Sequence, residues 1–227
     1  MKNILIISTG VSKYESGRAT GLWLSELTHI YDHAKTENFG ITIASPDGGP
    51  IPIDPESLKP FVLDKVTKTY WEMAAFRKEL ENSKALGDLA SATFDLVYLA
   101  GGHGTMYDFP DNIALQEIIR RHFESGKKIA AICHGVGGLL NVRLSSGNVL
   151  IRNRSITGFN WFEESIARRK KEVPFNLEAA LKERKAHYIK ALIPMTSKVV
   201  VDGNLITGQN PFSSKEMAKV VISELRK

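Results

Sequence analysis

One cysteine stands among the 227 residues, so no internal disulfide can staple the chain, and a lone thiol suits a reducing, cytoplasmic setting. No apolar run approaches the roughly 20 residues that a bilayer-spanning helix needs. The first residues carry no apolar h-region and no small-residue cleavage site. They run straight into Asn3-Ile4-Leu5-Ile6-Ile7-Ser8, which argues against secretion. Nucleotide signatures are missing too: there is no Walker pattern with its Lys-Ser/Thr, and no G-x-G-x-x-G follows the first apolar run. Repeats, low-complexity tracts and an interdomain linker are absent, so residues 1–227 are expected to form one domain.

The formal charge of +5 is concentrated. Residues 151–190 hold ten Lys/Arg against five Asp/Glu, centred on Arg168-Arg169-Lys170-Lys171. The run has no interleaved aromatics and no binding-motif spacing, so it reads as a solvated helix face rather than a nucleic-acid site.

Short, almost continuously apolar runs at 3–8, 40–45, 94–100 and 128–132, with shorter ones near 155–158 and 198–207, read as strands. Helical patterns lie at 20–37, 71–82, 112–124, 134–141, 162–170, 177–185 and 213–225. Such alternation predicts an α/β three-layer sandwich with a mostly parallel central sheet. In that architecture chemistry gathers at the carboxyl ends of the strands. Residues 46–92, opening with Pro46-Asp47-Gly48-Gly49-Pro50, interrupt the alternation and are expected to fold over one edge as a lid.

Cys133 follows the apolar run Ile129–Ile132 and precedes Gly135, Gly137 and Gly138. A strand-to-helix elbow there would lift the sulfur out of the sheet, and a helix N-terminus and His134 would favour the thiolate. The competing reading is a buried cysteine packed as a small hydrophobe. Glu26 falls in the row Leu22–Glu26–Ile30 of the first helix, a carboxylate among apolar neighbours. It is either a border residue whose head reaches water or a buried acid with a raised pKa suited to proton transfer. Ala100-Gly101-Gly102-His103-Gly104 follows Leu96–Leu99, where paired glycines let backbone N–H groups face an oxyanion. His103 reads as a rim residue shaping that loop. His29 and His33 are spaced i, i+4, but no third ligand is evident and no metal site is expected.

Cys133-His134-Gly135 at an elbow, the Gly-Gly-His-Gly turn and a first-helix glutamate together resemble the ThiJ/PfpI superfamily, a class I glutamine amidotransferase-like, flavodoxin-like fold. Thr20-Gly21, Gly102 to Pro110, Ser155-Ile156-Thr157-Gly158-Phe159 and Leu205 to Pro211 resemble its glyoxalase III-like branch, which includes small heat-shock-type members. The resemblance implies a nucleophile at Cys133, a catalytic His134 and an acid at Glu164 that orients it. Glu163 is the near-equal alternative, because the register depends on a few residues around Trp161. It also implies that Glu26 handles protons, and that the turn of Gly101, Gly102 and His103 binds substrate and oxyanion together with the N–H of His134. The implied activity is glutathione-independent conversion of methylglyoxal and related 2-oxoaldehydes to D-lactate or other 2-hydroxy acids, with no cofactor and no metal, by a cytoplasmic homodimer. A cysteine amidase or deglycase on the same site, and a stress-response holdase or redox sensor, are the alternatives. Two departures stand out. Val136 sits where the family often has proline, and Ile193-Pro194-Met195-Thr196 replaces a tryptophan-containing segment at the pocket wall. His187 matches a downstream amidotransferase histidine by position alone.

Overall fold

Ile4, Leu5, Ile6 and Ile7 are all fully buried, yet they belong to two different cores. Successive side chains of a strand point to opposite faces. Ile4 and Ile6 therefore pack with Leu27, Ile30 and Val221, while Leu5 and Ile7 pack with Leu115, Ile118 and Leu139. A strand buried on both sides is the middle of a sandwich, and each such side chain contributes about 1.5–3 kcal/mol of burial.

The computed structural model describes residues 1–227. The chain begins β1 (Asn3–Ile7), α1 (Leu24–Thr36), β2 (Gly40–Ser45) and β3 (Asp47–Gly49). It continues through α2 (Lys65–Glu72), α3 (Ala74–Glu81), β4 (Ser83–Ala85), β5 (Leu96–Leu99), α4 (Thr105–Asp108) and α5 (Ile113–Glu124). Next come β6 (Lys128–Ile132), a 3-10 turn over Cys133–Leu139, β7 (Ser155–Ile156), α6 (Trp161–Ile166), α7 (Leu177–Glu183) and β8 (His187–Tyr188). β9 (Val199–Asp202), β10 (Leu205–Gly208) and α8 (Ser214–Arg226) close it. The main sheet has the order β3-β4-β2-β1-β5-β6-β10-β9. Its core strands β2, β1, β5, β6 and β10 are parallel, with Ile6 opposite Ile43 on one side and Tyr98 on the other. That is the flavodoxin-like order, which reverses direction between β1 and β5 and opens a crevice at their carboxyl ends. No helix is long and apolar enough to cross a membrane.

Several elements differ from the sequence reading. The helix expected at 71–82 is two helices, because Met73 takes extended backbone (ψ 116°) between them, and Asp64 caps the first through the Thr67 N–H. Part of 46–92 joins the main sheet: β3 and β4 extend its edge beyond β2. Ser155–Ile156 leaves the main sheet to pair with β8, and the run at 198–207 is a hairpin turning at Gly203. The helix expected over 162–170 stops at Ile166, because Arg168 adopts left-handed backbone (φ 57°). The basic run is thus not a helix face; Arg168, Lys170 and Lys171 are exposed as expected, but Arg169 is nine-tenths buried.

Candidate active site

The ends of β1, β5 and β6 bring together three segments far apart in sequence. Cys133 takes φ 57° at the end of β6. Left-handed backbone costs a non-glycine residue about 1–2 kcal/mol, and it is fixed here by close packing of the turn after β5. A Cβ on Gly101 would lie 2.5 Å from Glu26 Oε2 and 3.0 Å from the Cys133 Cβ. Gly102, at φ 115°, leaves no room either: its Cβ would fall 2.1 Å from the Gly21 carbonyl oxygen. The elbow is a 3-10 turn rather than an α-helix. Val136, at the family's proline position, is fully buried with its side chain against Gly158.

Glu26 lies in the first turn of α1 and is fully buried. Its Oε2 accepts the Gly101 N–H at 2.8 Å, and Oε1 has no hydrogen-bond partner. Burial raises its carboxyl to about 8, against the smaller downward pull of the Cys133 thiol and the Gly101 N–H. Glu26 therefore keeps its proton at neutral pH. The Cys133 thiol is likewise pushed well above the ordinary thiol range by burial, then by Glu26, with the His134 backbone N–H pulling the other way. The elbow's His134 N–H does favour the thiolate, as the sequence reading expected, but burial outweighs it. At neutral pH the protonated Glu26 carries no charge to repel the sulfur, so burial is what holds the thiol proton.

His134 joins the sulfur to an acid. Its Nδ1 lies 3.3 Å from Cys133 Sγ, and its Nε2 lies 2.8 Å from Glu164 Oε2. The other carboxylate oxygen, Oε1, is 2.8 Å from His103 Nε2. Burial would raise the Glu164 carboxyl, but His134 and His103 outweigh it and hold it well below the usual carboxylate range. An acceptor-only carboxylate requires Nε2–H on both rings. In the neutral tautomer His134 Nδ1 presents its lone pair to the thiol. Phe159 covers the His134 ring at 4.4 Å between centroids. Burial, then the neighbouring His134, lowers the pKa of His103.

Glu163 is the other acid that the sequence left open. Consecutive residues on a helix project about 100° apart, and Glu163 turns away from His134. Its Oε1 accepts from Gln209 Nε2, Asn210 Nδ2 and the Met195 N–H, each at 2.8 Å, and its carboxylate completes a capping box with Asn160. Gly101 also departs from its expected part as an oxyanion donor, since its N–H is committed to Glu26. The His103 ring is committed to Glu164, which leaves Gly102 and the His134 N–H beside the sulfur.

The sulfur opens into a cavity of about 230 Å³ that Gly102, His103, Cys133 and His134 line. Trp23, Phe159, Met195 and Phe212 add apolar wall, so the Ile193–Thr196 segment contributes Met195 to the pocket. Asp54, Glu56, Phe61 and Val62 enter from the 46–92 segment, and Arg169 from the basic run. None of these five was expected from sequence to line the site. Only the position of 46–92 between core strands hinted at a wall there.

His103, His134 and Glu164 place three donor atoms within 4.8 Å of one another. Both imidazole contacts of that cluster are hydrogen bonds to the carboxylate. The His29/His33 pair gains no third ligand, and His29 Nε2 instead contacts Asp64 Oδ2 at 2.8 Å. His187 is exposed on β8, in the separate two-stranded sheet.

The X-ray structure of the Rapid Encystment Protein 24 kDa of Francisella tularensis superposes with a TM-score of 0.94 and 38% identity over 99% of each chain. Glyoxalase III of Candida albicans superposes with a TM-score of 0.88 and 28% identity, covering 98% of this chain and 96% of that one. The glutathione-independent glyoxalase HSP31 of Saccharomyces cerevisiae is 28% identical over 99% of this chain and 98% of its own. The DJ-1/PfpI family model matches residues 19–224, and with that span covering the elbow, the glycine turn and the first-helix glutamate, the chain belongs to the DJ-1/PfpI family, in the branch that holds these glyoxalases.

Proposed function

We propose that the protein is a glutathione-independent glyoxalase that converts methylglyoxal and related 2-oxoaldehydes to 2-hydroxy acids, D-lactate from methylglyoxal. The observation that carries this reading is the convergence on one sulfur of a protonated carboxyl, Glu26, and an imidazole–carboxylate pair, His134–Glu164. An isomerisation of this kind needs both a proton carrier and a nucleophile.

His134 Nδ1 takes the thiol proton as Cys133 Sγ adds to the aldehyde carbon C1, and Glu164 stabilises the imidazolium. Glu26 protonates the new oxygen, giving a hemithioacetal. The Glu26 carboxylate so formed removes the C1 proton and returns it to C2 by way of an enediol. The His134 imidazolium gives its proton to the C2 oxygen, the proton of the C1 hydroxyl returns to Glu26, and a thioester to Cys133 results with His134 neutral and Glu26 protonated again. Water, activated by His134, hydrolyses the thioester and releases the 2-hydroxy acid and the free thiol. C1 is oxidised as C2 is reduced, so water is the only other reactant. Gly102 and the His134 N–H face the oxyanions formed on the way.

The test is methylglyoxal consumption without glutathione, with enzymatic detection of D-lactate, for wild type and Cys133→Ala. Stoichiometric D-lactate lost in the variant supports the reading. Full activity in Cys133→Ala, or no lactate from folded wild type, overturns it. The cytoplasmic homodimer implied by the sequence resemblance is part of the same proposal. Its exposed Leu192 and Ile193 offer apolar surface for self-association, and light scattering measures the mass.

A further inference from the structure

Arg169 is the one lysine or arginine that lines the Cys133 cavity. Its side chain is nine-tenths buried and under-used. Nη1 donates to the Arg168 carbonyl at 3.3 Å, and Nη2 lies 3.8 Å from Glu56 Oε1, too long for a hydrogen bond. Glu56 is held instead by Lys59 at 2.6 Å and Arg18 at 3.4 Å. The other acid in the wall, Asp54, accepts from Thr20 Oγ1 and the Glu56 N–H. Tyr14 also stands beside the guanidinium, so its neighbours are one carbonyl, one hydroxyl and a loosely held carboxylate, and a charge this buried gains from a closer anionic partner.

The backbone explains how it arrives there. α6 ends in a Schellman-type turn, with Arg168 in the left-handed position usually given to glycine and the Arg169 N–H bonded to the Glu164 carbonyl at 3.1 Å. The helix that carries the acid of the Cys133–His134–Glu164 relay therefore delivers the cation to the same cavity. Strain of this kind persists where the surroundings impose it, often at functional sites. At about 230 Å³ the cavity has room for several waters, so a three-carbon oxoaldehyde fills only part of it.

We propose that Arg169 is a specificity-determining residue that binds a carboxylate at the far end of the substrate, so that the preferred substrates are 2-oxoaldehydes bearing a carboxylate. The planar fork of the guanidinium matches a carboxylate bidentately. This rests on the glyoxalase reading of the same pocket, and two assays separate the two.

The first compares kcat/KM for 4,5-dioxopentanoate, its methyl ester and methylglyoxal, in wild type, Arg169→Met and Arg169→Lys. Wild type should favour the acid over the ester, and Arg169→Met should lose about 10- to 100-fold on the acid while changing the two neutral substrates less than about threefold. Arg169→Lys keeps the charge without the fork and should fall between. Equal losses on all three substrates, or no preference of wild type for the acid, overturn the proposal and leave the glyoxalase reading standing. The second assay needs no turnover. Cys133 is alkylated by anionic iodoacetate or neutral iodoacetamide, the sulfur displacing iodide from either reagent. The iodoacetate-to-iodoacetamide rate ratio should drop about tenfold in Arg169→Met and less in Arg169→Lys. An unchanged ratio in both folded variants overturns the proposal even if no oxoaldehyde is consumed.

Discussion

The backbone N–H of Gly101 donates to Glu26 Oε2 at 2.8 Å, which ties the turn after β5 to the first turn of α1 beneath Cys133. The approach is possible only because residue 101 has no Cβ. In Gly101→Ala the added carbon would meet Glu26 Oε2 at 2.5 Å and the Ile132 carbonyl oxygen at 2.6 Å. The carboxyl can give way, but the backbone oxygen cannot do so without moving the elbow. We expect a stability loss of about 1–3 kcal/mol, the usual cost of overpacking, and a larger proportional loss of activity. Denaturant melts and methylglyoxal kinetics on the same preparation check both. Wild-type activity in the alanine variant would show that the Glu26 placement is not critical.

Glu26 should set a trade between stability and chemistry. Its ordinary value is 4.5 and its folded value about 8, so between these pH values the native state holds a proton that the unfolded chain has released. Stability therefore falls as pH rises through this window, by about 1.4 kcal/mol per unit and roughly 3–5 kcal/mol in full. Glu26→Gln keeps an acceptor for Gly101 and cannot ionise. It should melt at a higher temperature than wild type at pH 9, match it more closely at pH 5, and lose about 10²–10⁴-fold in kcat. Melting curves at the two pH values decide the first point; parallel pH dependence in both proteins would refute it.

The sheet was legible because its parallel strands are nearly pure apolar runs, and Cys133, Glu26 and the glycine turn could be placed by their position at strand ends. What the sequence did not show was orientation. Glu163 and Glu164 are chemically equivalent neighbours, and only the start of α6 at Trp161 decides which one faces His134. Arg169 was hidden differently. Its run looks like a charged helix face, and nothing in the composition signals that Arg168 turns left-handed. Met73 broke a helix for a similarly local reason: the periodicity on either side continues across it.

The two glutamates of α6 should separate cleanly. Glu164→Gln removes the charge that stabilises the His134 imidazolium, and we expect kcat to fall about 10²–10⁴-fold with the fold retained at neutral pH. Glu164 contributes stability that is present above its ordinary value of 4.5 and is lost as pH falls toward its depressed folded value. The variant should therefore lose less stability on acidification than wild type. Glu163→Ala should do the reverse. It strips three donors of their acceptor, costing about 1–3 kcal/mol for each group left buried and unpaired, while catalysis in the surviving folded fraction stays near wild type. Active-site titration of Cys133 normalises the rates.

His103 tests whether a residue that touches no reacting atom still governs the rate. Its Nε2 holds Glu164 Oε1 at 2.8 Å, and its ring lies 4.0 Å from that of His134. The second hydrogen bond stops the carboxylate from rotating away from His134, so its loss should weaken the support for the imidazolium rather than the grip on substrate. His103→Asn should lower kcat by about tenfold, in line with losing one hydrogen bond to a charged group, with KM changed less than twofold. Because His103 also lines the cavity, the opposite split is the informative failure. A raised KM with unchanged kcat would make it a wall residue, and the Glu164 carboxylate would then be held well enough by His134 alone.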